Sequence, residues 1–226
     1  IAGAVVSLPV PAHAQDYDTV TSFDGTPITF YWFPALGLAD GQTAPTVLQG
    51  PGFGGQAQSD PEAKSSSAIP GVGDLRRAGY NVLTWNPRGI SPSGGQAQLN
   101  NPYFEGRDVS ALITWVSNRP EAQLDAPGDP RVGMTGGSYG GGIQFSTAGI
   151  DDRVDAIVPV IAWNSLQTSL YKAQTIKTSW VNALMVGATR PGKTFSPSIL
   201  KGREQARRGT TFSQEVVNFA EVAGPD

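Results

Sequence analysis

Three observations predict an α/β architecture with a mostly parallel sheet. Short apolar strands alternate with helical patterns between residues 46 and 163, an antiparallel hairpin precedes them, and a glycine-framed serine stands where one strand passes into a helix. Parallel neighbours require crossover connections, which the intervening helices supply.

The elements follow in order. "DTVTSFDGTPITFYWFP" (18–34) holds two runs rich in β-branched and aromatic residues around Asp24-Gly25, a dipeptide that accepts the positive φ angles of a two-residue hairpin turn. "TVLQG" (46–50) and "YNVLTW" (80–85) read as short strands, with "GVGDLRRAG" between them as a short helix. In "EGRDVSALITWVSNRP", Val109, Leu112, Ile113 and Val116 fall at i, i+3, i+4 and i+7, which makes one buried stripe on a helix that Pro120 stops. The strand "RVGMTG", a helix from about Tyr139 to Gly149 and the apolar strand "VDAIVPVIAW" (154–163) complete the alternation.

After Trp163 the alternation ends. The stretches "NSLQTSLYKAQTIKTSWVNALMVGA" and "TFSQEVVNFAEVA" read as helices lying on the sheet, the second opened by a Thr211/Gln214 capping box. Trp163, Tyr171 and Trp180 read as core aromatics, with a pocket wall as the alternative. There is no internal repeat and no low-complexity tract.

Composition narrows the function classes. The 226 residues suffice for one sizeable domain, or for one domain and part of another. A net charge of -3 argues against a nucleic-acid partner, and the one basic cluster, "KGREQARRG" (201–209), reads as a solvated loop or helix face. With no cysteine and a single histidine, a zinc or iron site has almost no ligands to draw on, so neither a metal nor another cofactor is expected. The first residues, "IAGAVVSLPVPAHA", are too short and proline-broken to span a bilayer, and they end in Ala12-His13-Ala14, a small-x-small cleavage pattern. Residues 1–14 are therefore expected to be the remnant of a signal peptide, with Gln15 as the mature start and a secreted or cell-envelope location. On that reading His13 is removed from the working protein.

The chemistry centres on "RVGMTGGSYGGGIQF" (131–145). Gly136-Gly137-Ser138-Tyr139-Gly140 matches G-x-S-x-G, the strand-to-helix turn that lifts a serine hydroxyl above the C-terminal edge of a sheet. Gly140, Gly141 and Gly142, opening a helix, would each cost about 1 kcal/mol against alanine unless close packing demanded them. An acyl-transfer serine needs donors for the developing oxyanion: the Tyr139 N–H is one candidate, and the Phe53 N–H, in "LQGPGFGG", is the other. That loop also satisfies G-x-G-x-x-G at Gly50 to Gly55, but it runs into the long polar loop "QAQSDPEAKSSSAIP", not into a helix, which speaks against dinucleotide binding. Asp125, Asp129, Asp151 and Asp152 precede strands, at the sheet edge opposite the serine, and read as turn acids.

The blocks "TSFDGTPITFYWFP", "NVLTWNPRGISPSGG", "DPRVGMTGGSYGG" and "DDRVDAIVPVIAWNSL", in that order, resemble the X-Pro dipeptidyl-peptidase and cocaine-esterase-like family of α/β-hydrolases over roughly residues 20 to 180. The resemblance implies an α/β-hydrolase fold, cleavage of small peptide, ester or amide substrates through an acyl-enzyme, and a Ser-Asp-His triad. It also implies a helical cap after the sixth strand. Ser138 would be the nucleophile and the Tyr139 amide an oxyanion donor. Residues 15–163 would form the N-terminal part of the hydrolase domain and 164–226 the start of the cap. Asn86 stands where the family usually carries Asp before the x-Arg-Gly element, which implies altered local hydrogen bonding and no lost chemistry. The acid and histidine are expected beyond Asp226, so the fold would be incomplete at its C-terminus and these residues alone would turn over little substrate. A binding protein that uses the same pocket without a triad is the alternative.

Overall fold

The computed structural model describes residues 17–188 and 191–221; the expected signal segment and His13 lie outside the described residues. A six-stranded sheet is built from β1 (Asp18–Thr21), β2 (Pro27–Phe33), β3 (Thr46–Gly50), β4 (Asn81–Trp85), β7 (Val132–Gly137) and β8 (Val154–Val160), in the spatial order β1-β2-β4-β3-β7-β8. The first two pairings are antiparallel, and those of β4 with β3, β3 with β7 and β7 with β8 are parallel. The predicted alternation is present, with the hairpin at one edge and β8 at the other, where Val158 is 59% exposed.

Helices cover both faces. The predicted stripe of α2 (Arg107–Val116) is fully buried against Ile28, Phe30, Leu48 and Leu83, and Ile143 of α3 (Tyr139–Ala148) joins the same core. On the opposite face α1 (Val72–Arg77) sets Val72 against Phe33 and Val82. Buried apolar side chains of β2, β3 and β4 on one face, and of β2 and β4 on the other, hold these helices in place, because each buried aliphatic side chain stabilises by about 1.5–3 kcal/mol.

The opening turn differs from expectation. Ser22 N–H donates to the Thr26 carbonyl, and Gly25 alone takes a positive φ, +84°, so the loop is longer than a two-residue turn. Asp24 is instead recruited by Arg88, whose Nη1 lies 3.0 Å from its carboxylate. A second small hairpin, β5 (Leu124–Ala126) with β6 (Asp129–Pro130), occupies the turn before β7.

Beyond Trp163 the chain is not wholly helical. Between α4 (Leu166–Leu170) and α5 (Thr178–Ala188), β9 (Tyr171–Lys172) pairs with β10 (Thr175–Ile176). The connecting Ala173 and Gln174 both have positive φ, +51° and +55°, a two-residue reversal without the usual Asn-Gly. The basic cluster lies on α6 (Pro197–Arg208), and α7 (Gln214–Glu221) begins too late for Thr211 to cap it, so the Ser213 carbonyl accepts from Val216 and Val217. Hydrogen bonds from Thr194 N–H to the Gly89 carbonyl and from Ala97 N–H to the Thr194 carbonyl tie the segment before α6 to the loop after β4.

Candidate active site

Ser138 occupies the single-residue turn between β7 and α3, with φ 55° and ψ −113°. A side chain rarely adopts such a backbone, at a cost of about 1–3 kcal/mol, so the surrounding contacts must hold it there. Two do. Ser138 N–H donates to the Val160 carbonyl at 2.9 Å, and the Ser138 carbonyl accepts from Gly141 and Gly142 at 2.8 and 2.9 Å. The start of α3 also presses directly on the end of β3: a Cβ on Gly140 would lie 2.1 Å from the Gly50 carbonyl oxygen, and one on Gly136, at φ +151°, would lie 2.7 Å from the same atom. These close approaches account for the glycines and place Ser138 above the C-terminal ends of β3 and β7.

The hydroxyl is half-buried and meets a cavity of about 370 Å³ lined by Ser138, Tyr139 and Phe53 on the sheet side and by α4 to α7 on the other. The structure thus brings together the three residues that the sequence singles out. Trp163, Tyr171 and Trp180 also line the cavity, so the pocket-wall alternative is the one observed. The Tyr139 N–H is the first amide of α3, which has no acceptor within the helix. Among the described residues nothing accepts from the Phe53 N–H. The Phe53 ring packs at 5.3 Å from Tyr139 and 5.5 Å from Phe195.

Behind Tyr139 lies a feature that sequence reasoning missed. The chain enters α2 through a wide π-type turn, Pro102–Gly106, closed by Gly106 N–H to the Asn101 carbonyl at 3.2 Å. This turn directs Glu105 inward. Glu105 Oε1 accepts from the Tyr139 phenol at 2.5 Å and from Gln98 N–H at 3.0 Å, while Oε2 accepts from Asn101 N–H at 3.1 Å. Asn100 N–H donates to the phenol oxygen, and Asn100 Nδ2 to the Tyr139 carbonyl at 2.8 Å. Burial pushes the Glu105 carboxyl up to about 7 against the opposing pull of the Tyr139 hydrogen bond. Burial, and then the nearby Glu105 charge, raise the Tyr139 phenol above its ordinary value. No local pattern marks Glu105: it lies in the π-type turn ahead of α2, whose wider spacing departs from the 3.6-residue register that the stripe of α2 follows.

The remaining singled-out residues lie elsewhere. Asp125 pairs with Arg131, and Asp151 with Arg153, before β7 and β8 start; Asp129 and Asp152 share that edge, away from Ser138. Asn86 is fully engaged, accepting from Ala57 N–H at 2.9 Å and donating to Thr29 Oγ1 at 3.0 Å. The loop after Gly50 stays non-helical until α1, so no helix N-terminus is presented to a pyrophosphate. Among the described residues no cluster of potential metal ligands occurs, and no helix is long and apolar enough to cross a membrane.

Comparison with known proteins agrees with this geometry. An uncharacterised 31.7 kDa protein from the traX-finO intergenic region of Escherichia coli is 31% identical over 86 residues, 38% of this chain and 28% of that protein, so the chain spans well under half the length of that relative. A CocE/NonD family hydrolase from Staphylococcus aureus superposes with a TM-score of 0.63 at 16% identity, over 88% of this chain and 38% of that one. The acetyl xylan esterase from Paenibacillus sp. R4 does so with a TM-score of 0.59 at 16% identity, over 97% and 66%. These neighbours show the fold, which is that of the α/β-hydrolases. The model of the X-Pro dipeptidyl-peptidase (S15) family matches residues 25–213, most of the chain, including Phe53, Ser138 and Tyr139, and the chain belongs to that family.

Proposed function

We propose that this chain carries the nucleophile and the oxyanion donors of a serine hydrolase that cleaves peptide, ester or amide bonds through an acyl-enzyme. The observation that carries the reading is the placement of Ser138: it sits on a strained turn and lines the cavity together with Tyr139 and Phe53, whose amides have no acceptor among the described residues. A base outside the described residues takes the Ser138 proton as the oxygen attacks the substrate carbonyl carbon. The Tyr139 and Phe53 N–H groups receive the negative charge on the carbonyl oxygen, each donor contributing a few kcal/mol. The base returns the proton to the leaving group, and water then releases the acyl group from Ser138. The described helices after Trp163, α4 to α7, act as a cap over the cavity, and the small-x-small site at Ala12-His13-Ala14 directs export to the cell envelope or beyond.

A fluorophosphonate probe applied to the protein expressed from its gene, followed by peptide mass spectrometry, tests the reading. A single adduct on Ser138 that Ser138→Ala abolishes is the expected result. No adduct, or one on another residue, overturns it. The second reading, a binding protein without turnover, is favoured by the fact that the Ser138 hydroxyl has no hydrogen-bond partner among the described residues; it predicts ligand binding with an unreactive serine.

A further inference from the structure

The wall of the cavity bears on which acyl groups the site accepts, an inference that rests on the Ser138 reading above. Phe53, Ile161, Trp163, Leu170, Trp180 and Phe212 make it overwhelmingly apolar. Among the described residues the single charged side chain in that wall is Arg203 of α6, and no carboxylate lines it. The other charges on and around α6 are paired: Glu204 takes both Arg207 and Arg208, and Glu215 of α7 takes Lys201. Arg203 is half-buried and has no ion pair and no hydrogen bond among the described residues.

A guanidinium left unpaired beside apolar surface is an unsatisfied cation, and its planar fork matches a carboxylate. We propose that the cavity selects substrates whose acyl part is apolar and ends in an anionic group, a carboxylate that Arg203 holds while the scissile carbonyl lies at Ser138. Ser169 and Ser198 are also in the wall and are uncharged. A peptide cleaved from its free amino terminus would bring an ammonium into the same wall, where it meets a like charge and, among the described residues, no counter-ion. Within a family named for dipeptide release, this chain is built for acyl groups of the opposite charge.

Binding of three probes of one length, octanoate, octylammonium and octanol, separates charge from apolar contact, and it reads the cavity without requiring turnover. Titrations that follow Trp163 and Trp180 fluorescence are expected to give octanoate about tenfold tighter binding than octylammonium at low salt, with octanol between them. Arg203→Gln is expected to erase the difference while octanol still binds, which shows that the variant is folded; Arg203→Lys keeps the preference in reduced form. Equal or tighter binding of octylammonium, a preference that survives Arg203→Gln, or no binding of any probe overturns the proposal. The fluorophosphonate experiment reads the serine and not Arg203, so failure of one reading is distinguishable from failure of the other.

Discussion

The phenol of Tyr139 donates a 2.5 Å hydrogen bond to Glu105 Oε1, so the residue that follows Ser138 is anchored by its side chain to a buried carboxyl. Because burial holds that carboxyl at about 7 while an unfolded chain releases the proton near 4.5, the folded state binds one more proton between those values. The stability contributed by the protonated form is fully present below pH 4.5 and is lost as pH rises through 7, a change on the order of 3 kcal/mol. Urea midpoints measured from pH 4.5 to 8 are expected to fall for the wild type and to fall much less for Glu105→Gln, which leaves only the smaller contribution of buried Asp108. A level wild-type profile contradicts the assignment.

Strain at Ser138 gives a second expectation. Replacement by glycine removes the Cβ that disfavours φ 55°, whereas alanine keeps it. Allowing for the greater freedom of glycine in the unfolded chain, Ser138→Gly should be about 1 kcal/mol more stable than Ser138→Ala, though both lose reactivity with the probe. Chemical denaturation of the pair decides the point.

The contact between α3 and β3 is between backbones, and backbones have little room to yield. A methyl group at position 140 would meet the Gly50 oxygen at 2.1 Å, so Gly140→Ala should cost more than about 3 kcal/mol and abolish labelling of Ser138. Gly128→Ala, where nothing lies within 4 Å but φ is +80°, serves as the comparison and should cost only about 1–2 kcal/mol.

Arg88 is almost wholly buried, with Nε and Nη2 bonded to Asp108 at 2.7 and 2.6 Å and Nη1 to the more exposed Asp24. Arg88→Ala leaves Asp108 charged and unpaired inside the protein and should cost about 3–5 kcal/mol. Asp24→Ala, which removes a solvent-screened partner, should cost about 1 kcal/mol or less. Equal losses in the two thermal melts would show that Asp108 finds another partner.

How much of this was legible in the sequence follows from which signals are local. Val109, Leu112, Ile113 and Val116 announce their helix and its buried face because periodicity is carried by adjacent residues. Ser138 is legible because its glycines fall together in one short G-x-S-x-G string, although the contact that demands two of them comes from Gly50, far away along the chain. The turn at Ala173 and Gln174 has none of the residues that mark positive φ, so tertiary packing overrode local preference and the hairpin there could not be read. Glu105 reads as an ordinary polar residue near a helix start, and its partners, Gln98, Asn101 and Tyr139, converge only after the π-type turn forms. Arg203 shares a basic run with Arg207 and Arg208, and only the packing of α4 to α7 distinguishes the one that faces the cavity.

The hydrogen bond from Ser138 N–H to the Val160 carbonyl fixes the serine to the last residue of the outermost strand. Sliding β8 by one side-chain repeat would carry that acceptor roughly 6.6 Å along the strand axis, far beyond reach. The outer rail of the sheet therefore sets the height of the reactive oxygen, and whatever seats against β8 shares a lever with it.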